Sequence, residues 1–145
     1  MAFSNRYTRA MNLKDDRLAL RFANFSRVLE QLERACAQGR YTELERAGLI
    51  QMFEFTLELA WKTLKAWLEG EGLVARTPRE AIRQAMAAGL LDERITETLL
   101  EALSQRNVLA HTYTERLARE AEKRIREHYC PVFGEVRQRL QGRMT

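Results

Sequence analysis

TELERAGLIQMFEFTLELAWKTLKAWLEGEG, running from Thr42 to Gly72, carries apolar residues at Ile50, Phe53, Leu57, Ala60, Leu64 and Trp67. Steps of three and four place these side chains along one face of a helix, because an α-helix turns once in about 3.6 residues. Thr42 and Glu45 have the spacing of a capping box, in which each side chain bonds the other residue's amide, so the helix starts there. Gly70-Glu71-Gly72 stops it after about Glu69. Phe55, Leu59, Trp61 and Leu68 widen the stripe beyond one face. A helix that is apolar on more than one side has to be covered on more than one side, so this one is central to a bundle and has surface left for a second subunit. Its Trp and Phe residues read as core.

The flanking segments repeat the pattern. Leu18, Phe22, Phe25, Leu29, Leu32 and Cys36 form one stripe on a first helix, expected from about Asp15 or Asp16 to Ala37, with Gly39 ending it. Residues 1–11 show no periodicity and are expected to be a flexible tail. Thr77-Pro78-Arg79-Glu80 is a start signal, with an N-cap, a proline in the first helical position and an acid in the first turn. The short helix it opens runs to about Ala88 and stops at Gly89. Asp92 can cap a fourth helix that buries Ile95, Leu99, Ala102 and Leu103 and ends near Ala110 or His111. Thr112 and Glu115 suggest another capping box, starting a last helix near Tyr113. Leu117, Ala121, Ile125, His128 or Tyr129, Val132, Val136 and Leu140 continue its apolar face. Pro131 lacks an amide proton and predicts a kink or break near Cys130. No strand-like alternation occurs. The expectation is an all-α fold, an antiparallel four-helix bundle with an extra short helix, as a two-fold dimer. One domain over residues 12–141 accounts for the pattern, with residues 142–145 a flexible end.

Composition narrows the function. With 46% hydrophobic and 30% charged residues, the chain has the balance of a globular protein rather than a disordered one. No apolar run has the length of a membrane span, and the N-terminal residues lack a signal peptide's apolar middle, so a cytoplasmic protein is expected. Cys36 and Cys130 lack a Cys-x-x-Cys partner and are expected to be free, mostly buried thiols in a reducing compartment. Together with His111 and His128 they fit no closed zinc pattern, and no metal or cofactor is implied. The net charge of +4 is weak evidence for nucleic acid: without Arg6 and Arg9 the balance is 22 basic against 20 acidic residues. Any positive field for RNA must be local, around Arg106. Glu54 and Glu58 are spaced like ordinary surface charges.

Chemistry concentrates at Arg106-Asn-Val-Leu-Ala-His-Thr-Tyr113, which holds one of the chain's two histidines. An imidazole passes protons in either direction near neutral pH, and a guanidinium offers a planar fork of donors to a phosphate. Those two groups suffice to cleave RNA without a metal: a base takes the ribose 2′-hydroxyl proton, and a fixed cation stabilises charge growing on the phosphate. On a straight helix five residues turn through about 140°, so Arg106 and His111 would not share a face, whereas Asn107 and His111 would. Two resolutions are open. Either the helix ends at the motif and His111 turns toward Arg106, or the site is composite across a dimer interface.

Arg106-x4-His111-x-Tyr113, with Asn107 directly after the arginine, resembles the signature of the HEPN superfamily and of its HepT-like toxins. Gln51-Met-Phe-Glu-Phe-Thr-Leu-Glu-Leu-Ala-Trp-Lys-Thr-Leu-Lys65 and Thr77-Pro-Arg-Glu-Ala-Ile-Arg83 are similar to the related nucleotidyltransferase substrate-binding family, whose members are encoded beside a small nucleotidyltransferase. The likeness covers roughly residues 12 to 140 and begins near Met11, which marks that residue as a candidate start. The resemblance implies a helical bundle forming a two-fold dimer. It also implies a minimal nucleotidyltransferase antitoxin as partner, with RNA as substrate. In that reading His111 is the general acid or base, Arg106 binds the phosphate, and Asn107 orients one of them. Tyr113 would be the acceptor for AMP transferred by the nucleotidyltransferase, which silences the toxin. The alternative implied by the substrate-binding branch is a non-catalytic subunit that presents substrate to the nucleotidyltransferase.

Overall fold

The computed structural model describes residues 2–144, with side chains over 13–144. Its helices are α1 (Ala2–Cys36), α2 (Glu43–Gly70), α3 (Pro78–Ala87), α4 (Glu93–His111), α5 (Glu115–Arg124) and α6 (Cys130–Met144), with a π-helical turn at Ile125–Tyr129 joining α5 to α6. Among the described residues there is no strand. The long rods α1, α2, α4 and the continuous α5–α6 make the four-helix bundle, and α3 is the extra short helix.

Local side-chain chemistry sets most of the boundaries. Thr42 accepts from the Glu45 amide at 3.1 Å while Glu45 Oε1 accepts from the Thr42 amide at 2.9 Å, so the capping box that starts α2 is complete. Thr77 caps α3 and Asp92 caps α4, accepting from the Glu80 and Ile95 amides at 3.1 and 2.8 Å. Gly89 turns the chain out of α3 at φ 84, a left-handed conformation that a side chain would strain.

Four boundaries differ from the expectations. α1 begins at Ala2 rather than at Asp15 or Asp16, so residues 2–11, expected to be a loose tail, have helical backbone. No glycine or proline interrupts residues 2–36, and the two aspartates lie inside the helix rather than at its start. Met1 and Thr145 lie outside the described residues, and α6 carries the C-terminal end as helix to Met144. The third difference is at Thr112, which is the C-cap of α4 and not the N-cap of the next helix. Thr114 caps α5, accepting from the Leu117 amide at 3.2 Å. The fourth concerns Pro131: the break expected near Cys130 is absent, and the helix continues through a π turn at that place. The π turn just before it widens the spiral where the proline ring would clash and an amide is missing.

The core is one cluster. Phe53 lies at its centre with no exposed surface, its ring centroid 5.3 Å from that of Tyr129 and 6.2 Å from that of Phe133. Phe25, Leu29 and Leu32 from α1, Leu57 and Leu64 from α2, and Val136 and Leu140 from α6 are likewise fully enclosed. Tyr129, not His128, takes the buried position left open between them. Of the residues that widen the α2 stripe, Leu68 is buried and Leu59 and Trp61 pack half-buried on the chain's own core, whereas Phe55 is 55% exposed. The breadth of α2 is therefore mostly used within the bundle, and Phe55 is the part left over.

Candidate functional site

α4 runs unbroken to His111, so Arg106 and His111 lie on different sides of one intact helix, about 140° apart. The first of the two resolutions, a helix that ends early and frees His111 to reach Arg106, is not the one adopted. Arg106 faces α2. Its Nη1 donates to Glu58 Oε2 at 3.5 Å, and it lines a groove with Gln51, Met52, Glu54, Phe55 and Glu58. His111 and Asn107 are exposed, and Tyr113 is 52% exposed on the link between α4 and α5. Among the described residues no side-chain hydrogen bond joins Arg106, Asn107, His111 or Tyr113 to one another.

Glu58 turns out to be more than a surface charge. It accepts from Trp61 Nε1 at 3.0 Å and pairs with Lys62 Nζ at 3.2 Å as well as with Arg106. Burial by itself would raise its pKa, but the bonds from Trp61 and Lys62 and the charges of Lys62 and Arg106 outweigh that and lower it. Glu54, one turn earlier, behaves oppositely: burial raises its pKa despite the nearby Arg106. The groove thus sets the Glu58 carboxylate on the arginine that lines it.

A strip of α2 leads from this groove to a second cavity. Arg17, Arg21, Trp61, Lys62, Lys65 and Glu69 line it, four cations against one acid. Arg17 is paired with Glu69 at 3.3 Å and Lys62 with Glu58, but Arg21 and Lys65 have no ion-pair partner among the described residues. At about 1.5 Å per residue, Glu58 and Lys65 are roughly 10 Å apart along the helix. The uncompensated cations among the described residues therefore lie along α2 from Arg106, not around it, where Glu54 and Glu58 stand instead.

Arg46 positions the link that carries Tyr113. Buried at 9% exposure, it donates from Nε to Glu122 at 2.9 Å, from Nη1 to Glu115 at 2.6 Å and from Nη2 to the Tyr41 carbonyl at 3.1 Å. Glu115 is the first residue of α5, so this fork fixes where the link ends. Among the described residues no group of three or more His, Cys, Asp or Glu side chains could hold a metal ion.

Residues 20–142 match the family model described as nucleotidyltransferase substrate binding protein like. The chain belongs to that family. A protein of Thermus thermophilus with a solved structure is 32% identical and superposes with a TM-score of 0.70 over 83% of this chain and 98% of that one. The HEPN toxin of Shewanella oneidensis, solved tri-AMPylated and in complex with an MNT antitoxin, is 13% identical, with a TM-score of 0.72 over 88% and 98% of the two chains. A toxin–antitoxin structure described as MntA-HpeT gives 12% identity and a TM-score of 0.74 over the same shares. At those identities the last two show the fold, which is that of the HEPN toxins. No curated protein matches the chain.

In this substrate-binding-like chain, sequence reading picks out the signature residues but not what surrounds them. Glu58, Trp61 and Lys62 sit within about one turn of each other on α2, a spacing visible in the sequence. Glu58's contact with Arg106, and Arg46's hold on Glu115, depend on packing between helices.

Proposed function

We propose that this chain is the HEPN partner of a minimal nucleotidyltransferase in a toxin–antitoxin pair, and that it is a metal-independent ribonuclease silenced by AMP transfer to Tyr113. His111 takes the 2′-hydroxyl proton of RNA or returns a proton to the leaving 5′-oxygen. Arg106 holds the phosphate and offsets its growing charge, and Asn107, on the same face as His111, orients the imidazole or the substrate. Because one intact helix holds Arg106 and His111 apart, a complete site takes one residue from each of two copies. The exposed Phe55 beside Arg106 favours such a two-fold pairing.

The observation that carries the reading is the exposed Tyr113 two residues beyond an exposed His111, on a link that an outside enzyme can reach. In AMP transfer the Tyr113 hydroxyl oxygen bonds to the α-phosphorus of ATP. The bond from that phosphorus to the bridging oxygen breaks, pyrophosphate leaves, and the phenolic proton passes to solvent. The product puts a bulky anion over the imidazole. The tri-AMPylated toxin of the same fold supports AMP transfer as the modification.

The deciding experiment is incubation of the purified chain with total RNA in EDTA, beside His111→Ala. Cleavage by the wild type alone, leaving 2′,3′-cyclic phosphate ends, is expected. No cleavage by folded protein of unmodified mass overturns the ribonuclease. A second reading, a non-catalytic subunit that presents substrate to the nucleotidyltransferase, is favoured by the Glu58 carboxylate that already occupies Arg106. It is tested by whether Arg106→Ala weakens the complex or slows nucleotidyl transfer.

A further inference from the structure

The chain has two cysteines, far apart in sequence, and the bundle brings them together. Cys36 is the last residue of α1 and Cys130 the first of α6, and their thiols adjoin each other where the two helices pack. They differ in access. Cys130 is buried at 6% exposure, whereas Cys36 is half-buried and opens onto a cleft of about 400 Å³ that it lines with Glu122, Lys123, Arg126 and Glu127. Arg126 is anchored at this spot, donating from Nε to the Cys36 carbonyl at 3.2 Å while its guanidinium lies over the Tyr41 ring at 5.5 Å.

The electrostatics divide the pair in the same direction as the geometry. The hydrogen bond from Cys130 holds the Cys36 thiol below its ordinary range, against the effect of burial and with help from Arg126. The bond to Cys36 and then burial push Cys130 well above its range. Glu33 faces both sulfurs and opposes ionisation, but its own carboxylate is engaged by Arg137 at 2.8 and 3.1 Å. The accessible sulfur is the one a small oxidant reaches, and the enclosed one is placed to follow it.

We propose that Cys36 is a site of oxidation by small hydroperoxides, with Cys130 as its resolving partner, forming a disulfide that ties the end of α1 to the start of α6. The Cys36 thiolate attacks one peroxide oxygen, the O–O bond breaks, and the other oxygen leaves as hydroxide or alkoxide and takes up a proton. Cys36 has given up two electrons and become a sulfenic acid. The Cys130 sulfur then bonds to the Cys36 sulfur as its proton leaves, the S–OH bond breaks, and water is released. A low-molecular-weight thiol reverses the step by exchange. The pairing is independent of whether the chain cleaves RNA.

The test is titration of the purified full chain with hydrogen peroxide, read by intact mass, thiol counting and non-reducing peptide mapping. The expected wild-type product has lost two hydrogens and both thiols and yields one peptide linking Cys36 to Cys130 within a single chain, restored by dithiothreitol. In Cys130→Ser, Cys36 stops at a sulfenic acid that dimedone traps. In Cys36→Ser, Cys130 stays reduced at peroxide concentrations that consume the wild-type pair. Links only between chains, or Cys130 reacting as fast in Cys36→Ser as in the wild type, would overturn the proposal. Wild-type peptide mapping decides the pairing even if a serine variant fails to fold.

Discussion

Replacing Glu58 by Gln tests whether Arg106 is a ligand-binding cation held in reserve or a structural one. The change keeps the acceptor for Trp61 Nε1 and removes the charge that occupies Arg106 at 3.5 Å. Two unit charges at that separation attract by ~1 kcal/mol in water. Both side chains are about a third exposed, at 29% and 36%. Measured pairs of this kind are worth about 0.2–1 kcal/mol after solvent and salt have acted. A phosphate that must displace Glu58 gains that much when the carboxylate is gone, so its affinity rises by roughly 1.4- to 5-fold. The assay is fluorescence anisotropy of a 2′-O-methyl oligoribonucleotide, which has no free 2′-hydroxyl and is bound without being cleaved. The gain should shrink as salt rises toward 1 M, where the screening length falls to about 3 Å. In the double variant with Arg106→Ala it should vanish, because the two side chains act on the same phosphate. Equal or weaker binding by Glu58→Gln at low salt would refute the reasoning and make the pair a structural tie between α2 and α4.

Other outcomes follow from neighbouring features. Charge reversal at Arg21 or Lys65, the two unpaired cations among the described residues of the second cavity, should weaken binding of the same oligonucleotide and flatten its salt dependence; an unchanged salt slope would remove the cavity from the RNA path. Phe53→Ala should cost about 3–5 kcal/mol in urea unfolding, and Phe53→Leu, which loses the ring contacts but little volume, about 1–2 kcal/mol. Burial, and next the Glu101 carboxylate, push the Tyr129 phenol up to about 12. Since this folded value lies above the unfolded one, near 10, the stability it contributes is complete below about pH 10 and is lost as pH rises toward about 12. Ultraviolet titration of phenolate alongside circular dichroism should show this loss, and Tyr129→Phe should flatten it.

The parts of the fold legible in the sequence are those fixed by neighbours a turn away. Thr42, Thr77 and Asp92 each cap the helix they announce, because donor and acceptor are three residues apart. At Thr112 and Thr114 that logic gives two answers. A box from Thr112 would need the Glu115 carboxylate, but Arg46 of α2 takes it at 2.6 Å, and α5 starts at Thr114's cap instead. The candidate site divides in the same way. Arg106, Asn107, His111 and Tyr113 stand out by residue type and spacing, whereas Glu58's grip on Arg106 and the meeting of Cys36 with Cys130 join segments distant along the chain. Nothing local encodes them.

The π turn at Ile125–Tyr129 has a consequence for how this chain can change length. A π turn is an α-helix holding one surplus residue, so the surplus can be removed without rotating what lies on either side. Deleting exposed His128 together with Pro131→Ala, because the proline would clash in the regular helix that results, should leave an ordinary α-helix in which the Thr114-capped start and the Val136 and Leu140 face keep their bearings, readable as unchanged helicity and cooperative unfolding. The same deletion in the middle of α4 would swing Arg106 and His111 by about 100° relative to the residues before it. The long C-terminal helix thus has a place where a residue can be lost in register once Pro131 is replaced as well, and the helix bearing the motif has none.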